Sequence, residues 1–135
     1  MSLTKRILLW AMAAFYTYAG FNHLLNPDVY VAIIPPGLPG PEWLNVGSGL
    51  AEIVLGVFIL EPRVRVFAAW GLIALLIAIF PANVYVALEN VGISSGEPGT
   101  GAGWLNWVRL PLQALLVLWA WWYTRPDSDS GPGRL

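Results

Sequence analysis

The chain has 135 residues, of which 57% are hydrophobic and 11% charged, and its formal net charge is −1. Soluble domains carry roughly 25% charged residues, and so short a chain cannot hide this much apolar surface in one soluble core, so a single compact membrane domain is expected. The absence of cysteine excludes disulfides, thiolate metal sites, cysteine-ligated iron–sulfur clusters and attached c-type haem; one histidine excludes two-histidine haem ligation within a chain, and no basic run could track nucleic acid.

Four apolar segments approach the length of about 20 residues that a bilayer crossing needs. The first covers about 7–25. Lys5 and Arg6 precede it, as in a signal peptide, but it is long, carries Phe15, Tyr16 and Tyr18, and lacks an A-x-A-like cleavage site. It is expected to be a retained helix. The loop NPDVYVAIIPPGLPGPE follows. Asn26 suits an N-cap and Pro27 a first helical residue, so a short interfacial helix is expected through about Ile34. Prolines 35, 36, 39 and 41 then stop it, and Pro41 can start the next span.

The second span covers about 43–60 and contains GSGLAEIVLG, with Glu52 inside apolar sequence. EPRVR is a tight turn that makes spans two and three antiparallel neighbours. Span three covers about 66–88 and includes Pro81, expected to kink it and to free a carbonyl near residue 77. The loop NVGISSGEPGTGAG is expected to be mobile, and span four covers about 104–124. Residues 125–135 are expected to form a disordered cytoplasmic tail.

The fold class is thus all-α: a polytopic four-helix transmembrane bundle in a single domain, 1–124. Lys5, Arg6, Arg63, Arg65, Arg125 and Arg134 lie at one set of span ends, and the long loops at 26–42 and 89–103 have no Lys or Arg. The positive-inside rule makes the bundle N-in and C-in. Trp10, Trp70, Trp119, Trp121 and Trp122 then mark the inner interface, and Trp43, Trp104 and Trp107 the outer one.

Glu52 has Gly49 three residues before it, Ser48 four before it and Gly56 four after it. Small residues on its face let helices approach closely, which points Glu52 into the bundle. A charge at the centre of a lone span costs roughly 2.5–3.5 kcal/mol, so the acid needs a partner or a proton. Arg109 and Gln113 share a face of span four, Asn83 follows Pro81, and Asn22 and His23 close span one with Tyr18 a turn earlier. At the rise of an α-helix, Glu52 and Gln113 fall near the midplane, with Arg109 and Asn83 roughly 8 Å toward the outside and His23 a little higher.

His23, Glu52, Asn83, Arg109, Gln113, Asn22 and Tyr18 are therefore the candidate site, with Arg109 the expected partner of Glu52 and Asn83 the alternative. No metal is expected, because His23 has no second His or Cys near it. His23 and Glu52 could instead handle a proton. The same residues could equally form a structural network that fixes helix packing.

AGFNHLLNPDVY, PPGLPGP, SGLAEIVLG, FPANVY and WVRLPLQ together resemble the DoxX-like family of small membrane proteins, over about 10–124. The resemblance implies a four-helix membrane bundle. It matches Gly20 and His23 to a Gly-x-x-His, Gly49 and Glu52 to a Gly-x-x-Glu, and Pro81 and Asn83 to a Pro-x-Asn. Activities in that wider group run from a thiosulfate–quinone oxidoreductase subunit to a receptor-assembly chaperone, so the resemblance implies a fold better than an activity.

Two functional readings follow. One is a binding, assembly or accessory subunit whose polar pocket, in the outer half of the bundle, takes a lipid- or quinone-like ligand or a partner helix. The other is a quinone-linked oxidoreductase subunit that receives electrons from a partner protein; whether the chain is an enzyme stays open. A solute path ranks below both, because the inner half is apolar. There is no intrinsic cofactor in either reading. Membrane lipids, a membrane protein partner or a second copy are the expected partners, and a bacterial inner membrane is the expected location.

Overall fold

The structure is a computed structural model describing residues 1–32, 34, 35, 37–91, 99 and 103–125. All regular elements within them are helices: α1 (Leu3–Leu25), α2 (Pro27–Ala32), α3 (Pro41–Phe58), α4 (Arg65–Leu88) and α5 (Trp104–Trp122). The protein is all-α over these residues. Most of the glycine-rich loop and the tail from 126 onward, expected to be mobile and disordered, lie outside the described residues.

Local chemistry sets the helix limits. α1 starts at Leu3 rather than Ile7, because the Ser2 hydroxyl accepts the Lys5 N–H at 3.1 Å and caps the first turn. α2 opens on Pro27, whose fixed φ suits a first turn, and stops at Ala32, short of Ile34. α3 opens on Pro41. Arg65 reaches back across the tight turn: its Nε donates to the Ile59 carbonyl at 2.8 Å and its Nη2 to the Leu60 carbonyl at 3.0 Å. A cation thereby covers the carbonyl end of α3. Asn90, with φ of 47°, ends α4 in the left-handed region, and the Val91 N–H returns to the Val86 carbonyl at 3.1 Å. That is a helix-terminating motif in which Asn stands where Gly is commoner.

The packing is most extensive between α1 and α3 and next between α4 and α5, with α3 joining the two pairs and α2 lying against α1 and α3. Close approach of α1 and α3 depends on glycine. A Cβ added to Gly20 would lie 2.5 Å from the Gly49 carbonyl oxygen, and one added to Gly49 would lie 2.8 Å from the His23 Cβ. The start of α1 meets the end of α5, where the Tyr123 hydroxyl donates to the Lys5 carbonyl at 2.9 Å. Lys5, which is buried, lies 5.4 Å from the Trp122 ring and 5.7 Å from the Tyr123 ring. Both termini of the helical bundle therefore sit at one end, with the Arg65 turn.

Leu9, Met12, Ile59, Ala68, Leu72 and Ala120 form the apolar core near that end. Trp119 packs on this core and is not exposed, whereas Trp10, Trp43, Trp70, Trp104 and Trp107 are exposed. Among the described residues, α4 is the one helix long and apolar enough by length and composition to cross a membrane. α1, α3 and α5 have more polar residues, including His23, Glu52 and Arg109, which lower their apolar content.

Candidate functional site

The site lies at the opposite end, where α1 ends, α3 begins, α4 ends and α5 begins. On α3, Asn45, Gly49, Glu52 and Gly56 form a buried line at helical spacing. Glu52 is 6% exposed, so the carboxyl points into the bundle. Its imidazole neighbour is His23, with Nε2 to Oε2 at 3.4 Å. The contact is not aligned as a hydrogen bond, and Oε2 is buried with no hydrogen-bond partner.

His23 is held on three sides. Its Nδ1 lies 2.9 Å from the Asn45 Oδ1, and the Asn45 Nδ2 donates to the His23 carbonyl at 2.9 Å. That carbonyl belongs to the last turn of α1, where carbonyls lack helical partners. On the other face the ring stacks on Tyr30 of α2, with centroids 3.7 Å apart and planes at 23°. Asn22 Nδ2 donates to the Tyr30 hydroxyl, and Asn26 Nδ2 donates to the Asn22 Oδ1 at 2.7 Å. Asn22 thus ties α1 to α2 through its side chain, and Asn26 braces Asn22.

A second polar group joins α4 to α5. Asn83 Nδ2 donates to Gln113 Oε1, and Gln113 Nε2 donates to the Leu76 carbonyl. The carbonyl served by the bundle is thus Leu76's, one position before the residue 77 expected from Pro81. Nearer the helix ends, Asn90 Oδ1 accepts from the Gly103 N–H at 2.9 Å and from Asn106 Nδ2 at 3.2 Å.

The structure brings His23 and Glu52 together, pairs Asn83 with Gln113, and links Asn22 to Tyr30. It does not form the expected Glu52–Arg109 pair. Arg109 is half-buried, its Nη1 has no hydrogen-bond partner, and Tyr30 lies within its electrostatic reach. Tyr18 is 73% exposed and turns away from the cluster. The buried line of α1 runs instead through Met12, Tyr16 and Gly20, two positions out of phase with Tyr18. Tyr16 is buried with its hydroxyl unpartnered, within electrostatic reach of Glu52.

Asn45 and Tyr30 were missing from the candidates. Asn45 stands seven residues before Glu52, the distance of two helical turns, so its position on the face of the acid was available from spacing. Tyr30 gave no comparable signal, since it arrives on a separate short helix.

The fold and site together define a small all-helical protein in which two helix pairs enclose polar side chains at one end. The chain belongs to the DUF8561 family, described as a domain of unknown function, whose family model matches residues 12–124. No curated protein and no solved structure matches the chain.

Proposed function

We propose that this is a DoxX-like integral membrane protein of four spans that acts as a binding, assembly or accessory subunit, with both termini on the cytoplasmic side of a bacterial inner membrane. Its polar end takes a lipid- or quinone-like ligand or a partner helix. The burial pattern supports the membrane part of this reading. Glu52, Asn45, Asn106 and Gln113 are buried, while Trp43, Phe67, Ile77 and Leu118 are exposed. Water-soluble proteins arrange these residue types the other way round.

The observation that carries the ligand reading is the buried Glu52 Oε2, which faces His23 without a hydrogen bond. Leaving a buried polar atom unpaired costs about 1–3 kcal/mol. Arg109 Nη1 is a second such atom, and a donor where Glu52 offers an acceptor. A ligand bearing hydroxyl or carbonyl oxygens would satisfy both kinds. Native mass spectrometry of the protein gently extracted from its membrane tests this. A bound small molecule that disappears in Glu52→Gln is the expected result. A bound protein subunit with no small molecule would favour an assembly role and make the cluster structural.

The second reading is a membrane oxidoreductase subunit, favoured by the adjacency of His23 and Glu52, two groups able to move protons. Electrons would come from a partner protein. Failure to bind or reduce any quinone with neighbouring subunits present would remove it.

A further inference from the structure

We propose that Asn45 is a positioning residue that locks His23 in one tautomer, and that His23 and Glu52 thereby form a neutral pair that carries one exchangeable proton, on Nε2 or on the Glu52 carboxyl. The assignment follows from donor and acceptor chemistry. A backbone carbonyl only accepts, so the Asn45 amide atom 2.9 Å from the His23 carbonyl is the NH₂ group. The Asn45 oxygen is then the atom facing His23 Nδ1 at 2.9 Å, and an amide oxygen only accepts. Nδ1 therefore carries hydrogen and donates.

This leaves Nε2 as the nitrogen directed at Glu52, 3.4 Å from Oε2. A neutral imidazole with Nδ1–H presents a lone pair there. It pairs with a protonated Glu52, or the proton moves across and a histidinium faces a carboxylate. Both states hold one proton and give the pair no net charge. That is how the acid tolerates burial without Arg109. The gap exceeds a short hydrogen bond, as catalytic contacts commonly do before a ligand binds. Tyr30 stacking on the ring prevents the imidazole from turning over.

The alternative role for Asn45 is to cap the end of α1 and nothing more. The two roles differ in what the histidine nitrogens do. The lock stands on the geometry of the free protein and survives if no ligand exists. That a ligand oxygen reaching Oε2 could exchange this proton rests on the ligand reading above.

His23 is the chain's single histidine, so ¹⁵N-histidine labelling gives one ring to observe. The full chain in lipid bilayers, without added ligand, should show Nδ1 protonated throughout. Asn45→Asp keeps an acceptor oxygen and should preserve that state. Asn45→Leu removes the acceptor and should move most of the population to the Nε2–H form, in which the imidazole donates to Glu52. An unprotonated Nδ1 in the wild type would overturn the proposal without any variant. So would an unchanged tautomer in a folded Asn45→Leu protein. No small molecule bound to the wild-type protein, with the tautomer lock intact, would count against the ligand reading alone.

Discussion

Glycine and glutamate make opposite demands at neighbouring positions of α3. At Gly20 and Gly49 the backbones of α1 and α3 pass too closely for a side chain. Gly20→Ala should therefore destabilise the protein by about 1–3 kcal/mol, the usual cost of overpacking. Gly47 is the control: a Cβ there meets nothing within 4 Å, and it lies in the helix interior. Gly47→Ala should stabilise by about 0.5–1 kcal/mol through helix propensity. Equilibrium unfolding of both variants in mild detergent checks the pair, and equal effects would contradict the close approach. A double-mutant cycle tests the partner of Glu52. His23 and Glu52 should couple by about 0.5–3 kcal/mol, whereas Glu52 and Arg109 should combine almost additively. Helical spacing identifies the face that Glu52 occupies. It does not say which neighbour comes within reach, because the rotation of each helix about its axis follows from packing on the others.

Proline and arginine shape the elements. Pro81 and Pro111 lie inside α4 and α5, which continue through them, and Gln113 serves the Leu76 carbonyl while accepting from Asn83. Gln113→Leu leaves both groups without that partner inside the bundle and should cost about 1–3 kcal/mol. Chemical or thermal unfolding reads this directly, and a neutral outcome would mean that water replaces the amide. Arg65 illustrates a residue with two readings. In the sequence it is a topological charge beside a tight turn. In the fold its guanidinium holds the Ile59 and Leu60 carbonyls. Arg65→Lys keeps the charge and loses the fork, so it should still lower stability, by about 1 kcal/mol or more. The element limits were largely legible, since Pro27, Pro41 and the apolar runs mark them. The Ser2 cap and the Asn90 terminus lie outside the apolar pattern and depend on side-chain hydrogen bonds.

For the whole molecule, the question is how the bundle sits relative to water and lipid. The absence of cysteine allows single-cysteine labelling without background. Leu38 and Arg63 are both exposed and fall on the loops at opposite ends. Leu38→Cys should react with a membrane-impermeant reagent from outside, and Arg63→Cys only after the inside is opened. Reaction of both from the same side would sink the four-span reading. The four-span proposal rests on the exposed rings and aliphatic side chains of the long helices, beside buried amides and a buried acid.

Composition and periodicity were enough to establish the helices, their approximate limits, the turn between α3 and α4, and the inward placement of Glu52. These are local properties: propensity, proline position and a repeating apolar face act within a few turns. The choice of His23 over Arg109 as the neighbour of Glu52, the two-pronged grip of Asn45, the stacking of Tyr30 and the outward turn of Tyr18 were decided by tertiary structure. Each depends on how far one helix is rotated and slid against another. The glycine contacts of α1 with α3 set that register, and a sequence read one helix at a time contains no measure of it.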